Sequence, residues 1–347
     1  MNRKAVVLLS GGLDSILATR LMIELGIEIE AAHYYIDFAA PRQARDGPER
    51  SRRAACVGGD EGAAAKAAKM LSIPFKVFDI TNEYLEMFKN PRYGYGANIN
   101  PCIDCKIFML KKAKEYMAEV GASFLVTGEV LGERPMSQRK DALNLIEKQA
   151  GVRGILLRPL SAKLLEPTLP EKEGVIDREK LLDIRGRSRK PQMALAEKFG
   201  IKEYPNPAGG CLLTDPGFTN RVKDLIKHDE LNIENLKLLK TGRHFRLDND
   251  AKLVVGRDVD ENKELQSIAL PDDIIFKLKD HQGPLSILRG KYNNGFIEHA
   301  GMIVAYHTKF RGEDSLAINY WHAGDPNQKI SISVKPAEKE EIEKLRI

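Results

Sequence analysis

Two short segments of this 347-residue chain hold residue types whose order could do chemistry. Ser10-Gly11-Gly12-Leu13-Asp14-Ser15 follows an apolar run at 5–9 and leads into residues with helical spacing. Glycines let backbone amides approach a ligand closely, and the start of a helix adds partial positive charge. Ser10 and Ser15 can add hydroxyl donors, so the segment suits a pyrophosphate group. It lacks the Lys-Ser/Thr ending of the Walker loop, and γ-phosphate transfer is therefore not expected. A Gly-Gly turn capped by Ser or Asp is the bland alternative. The whole hexapeptide, between a strand and a helix, favours nucleotide binding.

The second segment, Asn100-Pro101-Cys102-Ile103-Asp104-Cys105, sets two thiols at the start of a basic helix, where the dipole favours thiolate. Cys211 follows Pro207-Ala208-Gly209-Gly210, a glycine-rich approach that lets the backbone close around a bound group. With Cys56 these make four cysteines, too few for a disulfide framework at this length. Three chemistries remain open for Cys102, Cys105 and Cys211. Zinc usually takes four protein ligands, and no well-placed fourth stands nearby. A dithiol relay needs only Cys102 and Cys105, or one of them with Cys211. An iron–sulfur cluster on three cysteines leaves one iron open to exogenous sulfide. Cys56 is expected to be an unconnected buried cysteine.

The elements that must position these groups follow from periodicity. Apolar runs at 5–9, 27–36, 74–80 and 123–127 predict strands; stretches at 15–25, 61–71, 82–89, 105–120, 138–149, 177–184 and 190–199 predict helices. This βα alternation predicts an α/β fold with a parallel sheet and helices on both faces. Residues 39–62 lack hydrophobic periodicity and predict a long surface loop. Its arginines at 42, 45, 50, 52 and 53 could touch a phosphate backbone or simply be solvated. After about residue 235 the character changes. Short runs at 244–247, 251–255, 273–278, 285–289, 302–306 and 329–334 predict strands, with a helix at 294–307. A smaller α+β domain at 240–347 is therefore expected after a first domain at 1–235, with the boundary inside 231–242.

Together these features resemble the tRNA 4-thiouridine synthase (ThiI-type) branch of the PP-loop sulfurtransferases. The hexapeptide is similar to their PP-loop, which cleaves ATP between the α and β phosphates. Thr127-Gly128-Glu129-Val130-Leu131-Gly132-Glu133 with Ser137-Gln138 resembles a stretch that lies against the nucleotide, and Leu157-Arg158-Pro159-Leu160 a strand end. The resemblance covers roughly 3–215 and implies the PP-loop ATPase (adenine nucleotide alpha hydrolase-like) fold. It implies ATP binding by Ser10, Gly11, Gly12, Asp14, Ser15, Gly128, Glu129 and Gln138, and Mg²⁺ held with the help of Asp14. Catalysis would fall to Asp14, Cys102, Cys105 and Cys211, the three cysteines resembling the [4Fe-4S] ligands of cluster-dependent thiolases. The loop starts at Ser10, so the family's usual N-terminal THUMP domain is not expected before it, nor is a rhodanese-like sulfur carrier expected after it.

Residues Arg243–Leu247, then Leu253-Val254-Val255-Gly256-Arg257-Asp258, Glu261-Asn262 and Lys279-Asp280-His281-Gln282-Gly283, resemble the NFACT-R module and imply RNA binding over about 240–335. The expected activity is ATP-dependent tRNA thiolation giving 4-thiouridine, with sulfide or a cysteine desulfurase-type donor supplying sulfur. The rivals are a 2-thiouridine synthase, an amide-forming PP-loop ligase, and a nucleotide-gated RNA-binding protein of ribosome quality control. The composition, 43% hydrophobic and 30% charged with net charge +5, is compatible with a polyanionic partner. No apolar run approaches the roughly 20 residues of a membrane span. A cytoplasmic location without a membrane partner is expected, and a homodimer is left open.

Overall fold

The strand and helix periods of the first two hundred residues become a parallel sheet in the computed structural model, which describes residues 1–39, 62–96, 98–204 and 211–347. The chain divides into two units, Met1–Asp215 and Pro216–Ile347. The arginines of the expected 39–62 loop, Cys56 and the Pro207–Gly210 approach lie outside the described residues.

In the first unit, β1 (Lys4–Leu8), β2 (Glu28–Tyr35), β3 (Phe75–Asp79), β4 (Phe124–Val126) and β5 (Leu156–Leu157) form a sheet in the order β3-β2-β1-β4-β5. Every pairing is parallel. α1 (Leu13–Glu24), α2 (Ala63–Leu71), α3 (Thr81–Lys89), α4 (Cys102–Glu119), α5 (Lys140–Ala150), the one-turn α6 (Leu169–Lys172) and α7 (Lys190–Lys198) connect or flank the strands. The expected α/β class is correct, and for a physical reason. Strands buried on both faces read as continuous apolar runs, and Ala5, Val6 and Val7 are all fully buried. Because β2 and β4 lie on opposite sides of β1, the chain leaves the sheet in two directions there. In open α/β sheets ligands bind beyond the strand ends at such a switch point.

One expected helix is absent. Residues 177–184 hold only a 3-10 turn at Arg178–Lys180. Beyond it the backbone runs beside 159–163, with Leu182 N–H donating to Pro159 O (3.0 Å) and Ile184 N–H to Leu160 O (2.8 Å). Those bonds to a neighbouring segment replace the bonds of a helix.

The second unit contains α8 (Pro216–Lys227), α9 (Ile233–Leu238), β6 (Arg243–Asp248), β7 (Ala251–Val255), α10 (Val259–Ile268), β8 (Ile274–Leu278), β9 (Ser286–Gly290), α11 (Asn294–Tyr306), β10 (Leu316–His322), β11 (Ile330–Val334) and α12 (Lys339–Leu345). Its antiparallel sheet has the order β11-β10-β8-β9-β7-β6. The expected α+β class holds, while the strand expected at 302–306 is the end of α11. Ile303, Val304 and Ala305 are all fully buried there, and an apolar run this short has no period that separates strand from helix.

The division at Asp215/Pro216 also precedes the expected boundary at 231–242. Salt bridges draw α8 into the second unit. Asp224 accepts from Arg246 of β6 through both oxygens (3.2 and 2.5 Å), and Lys252 of β7 approaches it at 3.6 Å. No helix of the described residues is long and apolar enough to cross a membrane.

Candidate active site

The turn after β1 carries the phosphate-loop sequence, and its shape follows from two glycines. Gly11 has φ +77°, and a Cβ there would lie 2.3 Å from the backbone carbon of Ala63. The turn is thus pressed against the first residues of α2. Gly12 is the N-cap of α1 and has open space beside it, with only Ser10 Oγ within 3.5 Å of an added Cβ. Ser10 Oγ accepts from Gly12 N–H (3.3 Å) and donates to Ser15 Oγ (3.2 Å), which donates to Gly12 O (2.8 Å). The hydroxyls therefore brace the loop while Ser10, Gly12, Asp14 and Ser15 line a cavity of about 300 Å³. Gly11 is not among its lining residues; its part is the backbone turn.

The opposite wall comes from the end of β4. Gly128 crosses α1 so closely that a Cβ would stand 2.5 Å from Asp14 C and O and from Ser15 N. Glu129, 4% exposed, is fixed between Arg158 Nε (2.9 Å) and Lys106 Nζ (3.3 Å). Burial alone would raise its pKa; Lys106 and Arg158 outweigh that and hold it near 2. Arg158 also pairs with Glu147. Glu129 thus reaches the cavity ionised at neutral pH and organises two cations. Gln138 also lines the cavity, and its Oε1 accepts from Arg134 N–H (2.9 Å) while its carbonyl accepts from Gly132 N–H (2.7 Å), folding the 132–138 loop.

The three expected thiols meet at the same cavity. Cys102 and Cys105 stand on the first turn of α4, whose Asp104 between them accepts from the N–H groups of Arg92 (3.0 Å) and Tyr93 (2.9 Å). Cys211 is held beyond them, with Thr214 Oγ1 donating to Cys211 O (2.6 Å) and Asn98 Nδ2 to Thr214 O (2.8 Å). All three thiols line the cavity with Tyr84. Burial, followed by the nearby Cys105 and Cys211, raises the Tyr84 pKa well above its ordinary value and keeps the phenol a donor. The donor set suits soft sulfur chemistry. Among the described residues, no group of three or more His, Cys, Asp or Glu side chains is gathered as a metal-holding set.

Arg189 and His33 carried no signal in the sequence, whereas Glu133 closes the 127–133 stretch noted there. Arg189 pairs with Asp14 and, at 2.8 Å, with Glu133. Asp14 Oδ1 is buried without a hydrogen-bond partner among the described residues, an orphaned acceptor that fits a cation such as Mg²⁺. Burial and the Asp14 carboxylate push Glu133 up to about 7. His33, 4% exposed, bonds through Nδ1 to Leu9 O (2.9 Å) and is held neutral by burial. Only the pairing across the sheet brings these residues together; Arg189 and Asp14 are 175 positions apart.

A glycine-rich strand-to-helix loop facing a β4 loop across the switch point gives the first unit the architecture of a PP-loop α/β domain. Comparison with known families agrees. Residues 1–164 match the family described as thiamine biosynthesis protein (ThiI), and residues 242–346 match the NFACT protein RNA binding domain. The first half of the chain is thus similar to the ThiI family and its last third to the NFACT RNA-binding domain. It is 33% identical over 105 residues to the tRNA-specific 2-thiouridylase MnmA of Mycobacteroides abscessus, covering 29% of this chain and 28% of that protein. The MnmA of Acidothermus cellulolyticus is 32% identical over 106 residues, with coverages of 29% and 28%. The chain thus spans little more than a quarter of the length of these relatives. Among solved structures, a 4-thiouridine synthetase–RNA complex with bound ATP aligns at 19% identity over 68% of this chain and 52% of that one, with a TM-score of 0.34. The C-terminal part of the fibronectin/fibrinogen-binding protein of Streptococcus suis aligns at 14% identity over 77% of this chain and 97% of that one, with a TM-score of 0.29. At these scores neither alignment equates the folds.

Proposed function

We propose that the chain is an ATP-dependent tRNA sulfurtransferase that replaces a uridine oxygen with sulfur, most directly O4 to give 4-thiouridine. The observation that carries this reading is one cavity lined both by the phosphate loop and by Cys102, Cys105 and Cys211. The uridine oxygen attacks the α-phosphate of ATP, pyrophosphate leaves, and the oxygen becomes part of an AMP leaving group. A sulfur nucleophile then adds at C4, and AMP departs with the original oxygen.

The start of α1 faces the pyrophosphate, and Asp14 helps to hold Mg²⁺ through its orphaned Oδ1. Arg189 offers a cation for the charge that develops on the phosphates. Glu129 and Gln138 hold the β4 loop against the nucleotide. Gly11 shapes the turn, and Gly128 brings β4 against it. The sulfur is carried as a persulfide on Cys105 or Cys211. The bond between its two sulfurs breaks as another cavity thiolate attacks the cysteine sulfur, leaving a disulfide that a thiol reductant restores. A three-cysteine [4Fe-4S] cluster is the alternative carrier, and its open iron would supply a binding position for sulfide. A cysteine desulfurase-type protein would load the persulfide by passing on the outer sulfur of its own persulfide, while sulfide would serve only the open iron of the cluster; a reducing cytoplasm suits either carrier.

A second reading, 2-thiouridine formation, is favoured by the relatives named tRNA-specific 2-thiouridylases. One experiment separates the two: mass spectrometry of nucleosides from tRNA incubated with anaerobic protein, ATP, Mg²⁺ and either a cysteine desulfurase with cysteine or, for the cluster, sulfide. We expect 4-thiouridine with stoichiometric pyrophosphate. A 2-thiouridine product reassigns the position, and no thionucleoside with no tRNA-dependent pyrophosphate release refutes thiolation.

A further inference from the structure

The segment Arg185-Gly186-Arg187-Ser188-Arg189-Lys190 places four cations within six residues. Arg189 points into the cavity, where it meets Asp14 and Glu133. Arg185, Arg187 and Lys190 are exposed, and among the described residues none of the three has an ion pair. The nearest acid in the sequence, Asp183, is also exposed and pairs with none of them. Lys190 opens α7, whose first turn contains no acid. Like charges are thus crowded without local compensation, which costs stability unless an anion arrives.

The segment is also fixed beside the cavity. Gly186 N–H donates to Leu131 O (2.8 Å), and Arg185 bridges Leu131 in parallel. Ser161 ties the same region together, accepting from Leu131 N–H (2.9 Å) and donating to Ile184 O (2.6 Å). Three residues beyond Leu131, the half-exposed Arg134 lines the cavity as well.

We propose that Arg185, Arg187 and Lys190 form the docking strip for the phosphates that flank the reacting nucleoside of an RNA substrate. The inference rests on the sulfurtransferase reading and names the surface that reading leaves unassigned. A nucleoside that reaches the cavity leaves its 5′ and 3′ phosphates at the mouth, where fixed cations can bind them whatever the sequence. An acidic protein would meet the same charge. The strip's attachment to the cavity lining favours the polymer whose monomer must enter it.

The test uses the full chain and an unmodified tRNA transcript, with affinity measured against salt concentration. Arg185→Ala/Arg187→Ala/Lys190→Ala is expected to weaken binding roughly tenfold or more and to lower the salt slope by about 2 to 3. ATP binding and melting temperature should stay unchanged. Unchanged tRNA affinity and slope would overturn the proposal, as would a wild-type chain with no salt-dependent tRNA binding. Should the triple variant lose ATP binding, Arg187→Gln alone is expected to lower the slope by about 1, and an unchanged slope there overturns the strip. Nucleoside analysis distinguishes the two readings. If the wild type binds tRNA through the strip but makes no thionucleoside, thiolation fails and the strip stands.

Discussion

Gly128 has no room for a side chain, because the backbone of Asp14 and Ser15 occupies the place of its Cβ at 2.5 Å. Gly128→Ala must push β4 away from α1. The expected cost is about 1–3 kcal/mol together with a large loss of ATP affinity, read by thermal melting and nucleotide titration. Glu129 makes the opposite kind of prediction. Its folded-state pKa lies near 2, below the ordinary 4.5, so its contribution is complete above about 4.5 and is lost as pH falls towards 2. Glu129→Gln leaves Arg158 with Glu147 alone. It should cost about 3 kcal/mol at neutral pH and remove that part of the acid-side loss of stability, measured by denaturant unfolding across the window. At this scale the sequence was informative about the phosphate loop and the three thiols, since both are local patterns. Arg189, Lys106 and His33 were illegible, because an isolated charged residue or histidine gives no sign of the partner that a parallel sheet brings to it.

Among the elements, α8 teaches most about what sequence reading misses. Its amphipathic stretch follows Asp215 without any composition shift, and the salt bridges that recruit it to β6 and β7 span twenty or more residues. Within that cluster Lys252 is 4% exposed, and its ammonium stands 3.6 Å from Asp224, too far for a hydrogen bond. Burial pushes its pKa down to about 8, against the opposing pull of Asp224. A lysine with a lowered folded-state pKa reduces stability while charged, and the penalty fades as pH rises from about 8 to 10.5. Lys252→Met should therefore be neutral or stabilising at pH 7, because Asp224 keeps both bonds from Arg246. It should also abolish the rise in stability across that alkaline window. Arg246→Met strands Asp224 and Glu230 together, and a loss of about 3 kcal/mol is expected in the same unfolding measurement.

Across the whole molecule, each unit has its own buried core, centred on Leu17 and Phe124 in one and on Phe276 and Leu288 in the other. A fragment 216–347 is expected to unfold in a single cooperative transition. A fragment 240–347, cut at the boundary the composition suggests, loses α8 and α9 and should melt lower or bind a hydrophobic dye. ATP with Mg²⁺ should stabilise the full chain by about 2.7 kcal/mol at a hundred times its dissociation constant, raising its melting temperature, and leave the 216–347 fragment unchanged. The α/β and α+β classes were legible because burial on two faces and on one face leave different residue periods. The matched C-terminal domain begins at 242, inside the expected boundary, while the salt bridges that join α8 to the second unit leave no periodic trace.

The switch point also bears on how the protein is made. The turn at 10–15 leaves the ribosome before the wall facing it, which comes from 127–138, its arginine from 189 and its third thiol from 211. A nascent chain that has only begun to fold therefore has half a nucleotide cradle. On the proposed function, nucleotide capture would follow only once synthesis has passed residue 211, and ATP would act as a ligand of the finished first unit and shield it from proteases that sample incomplete chains.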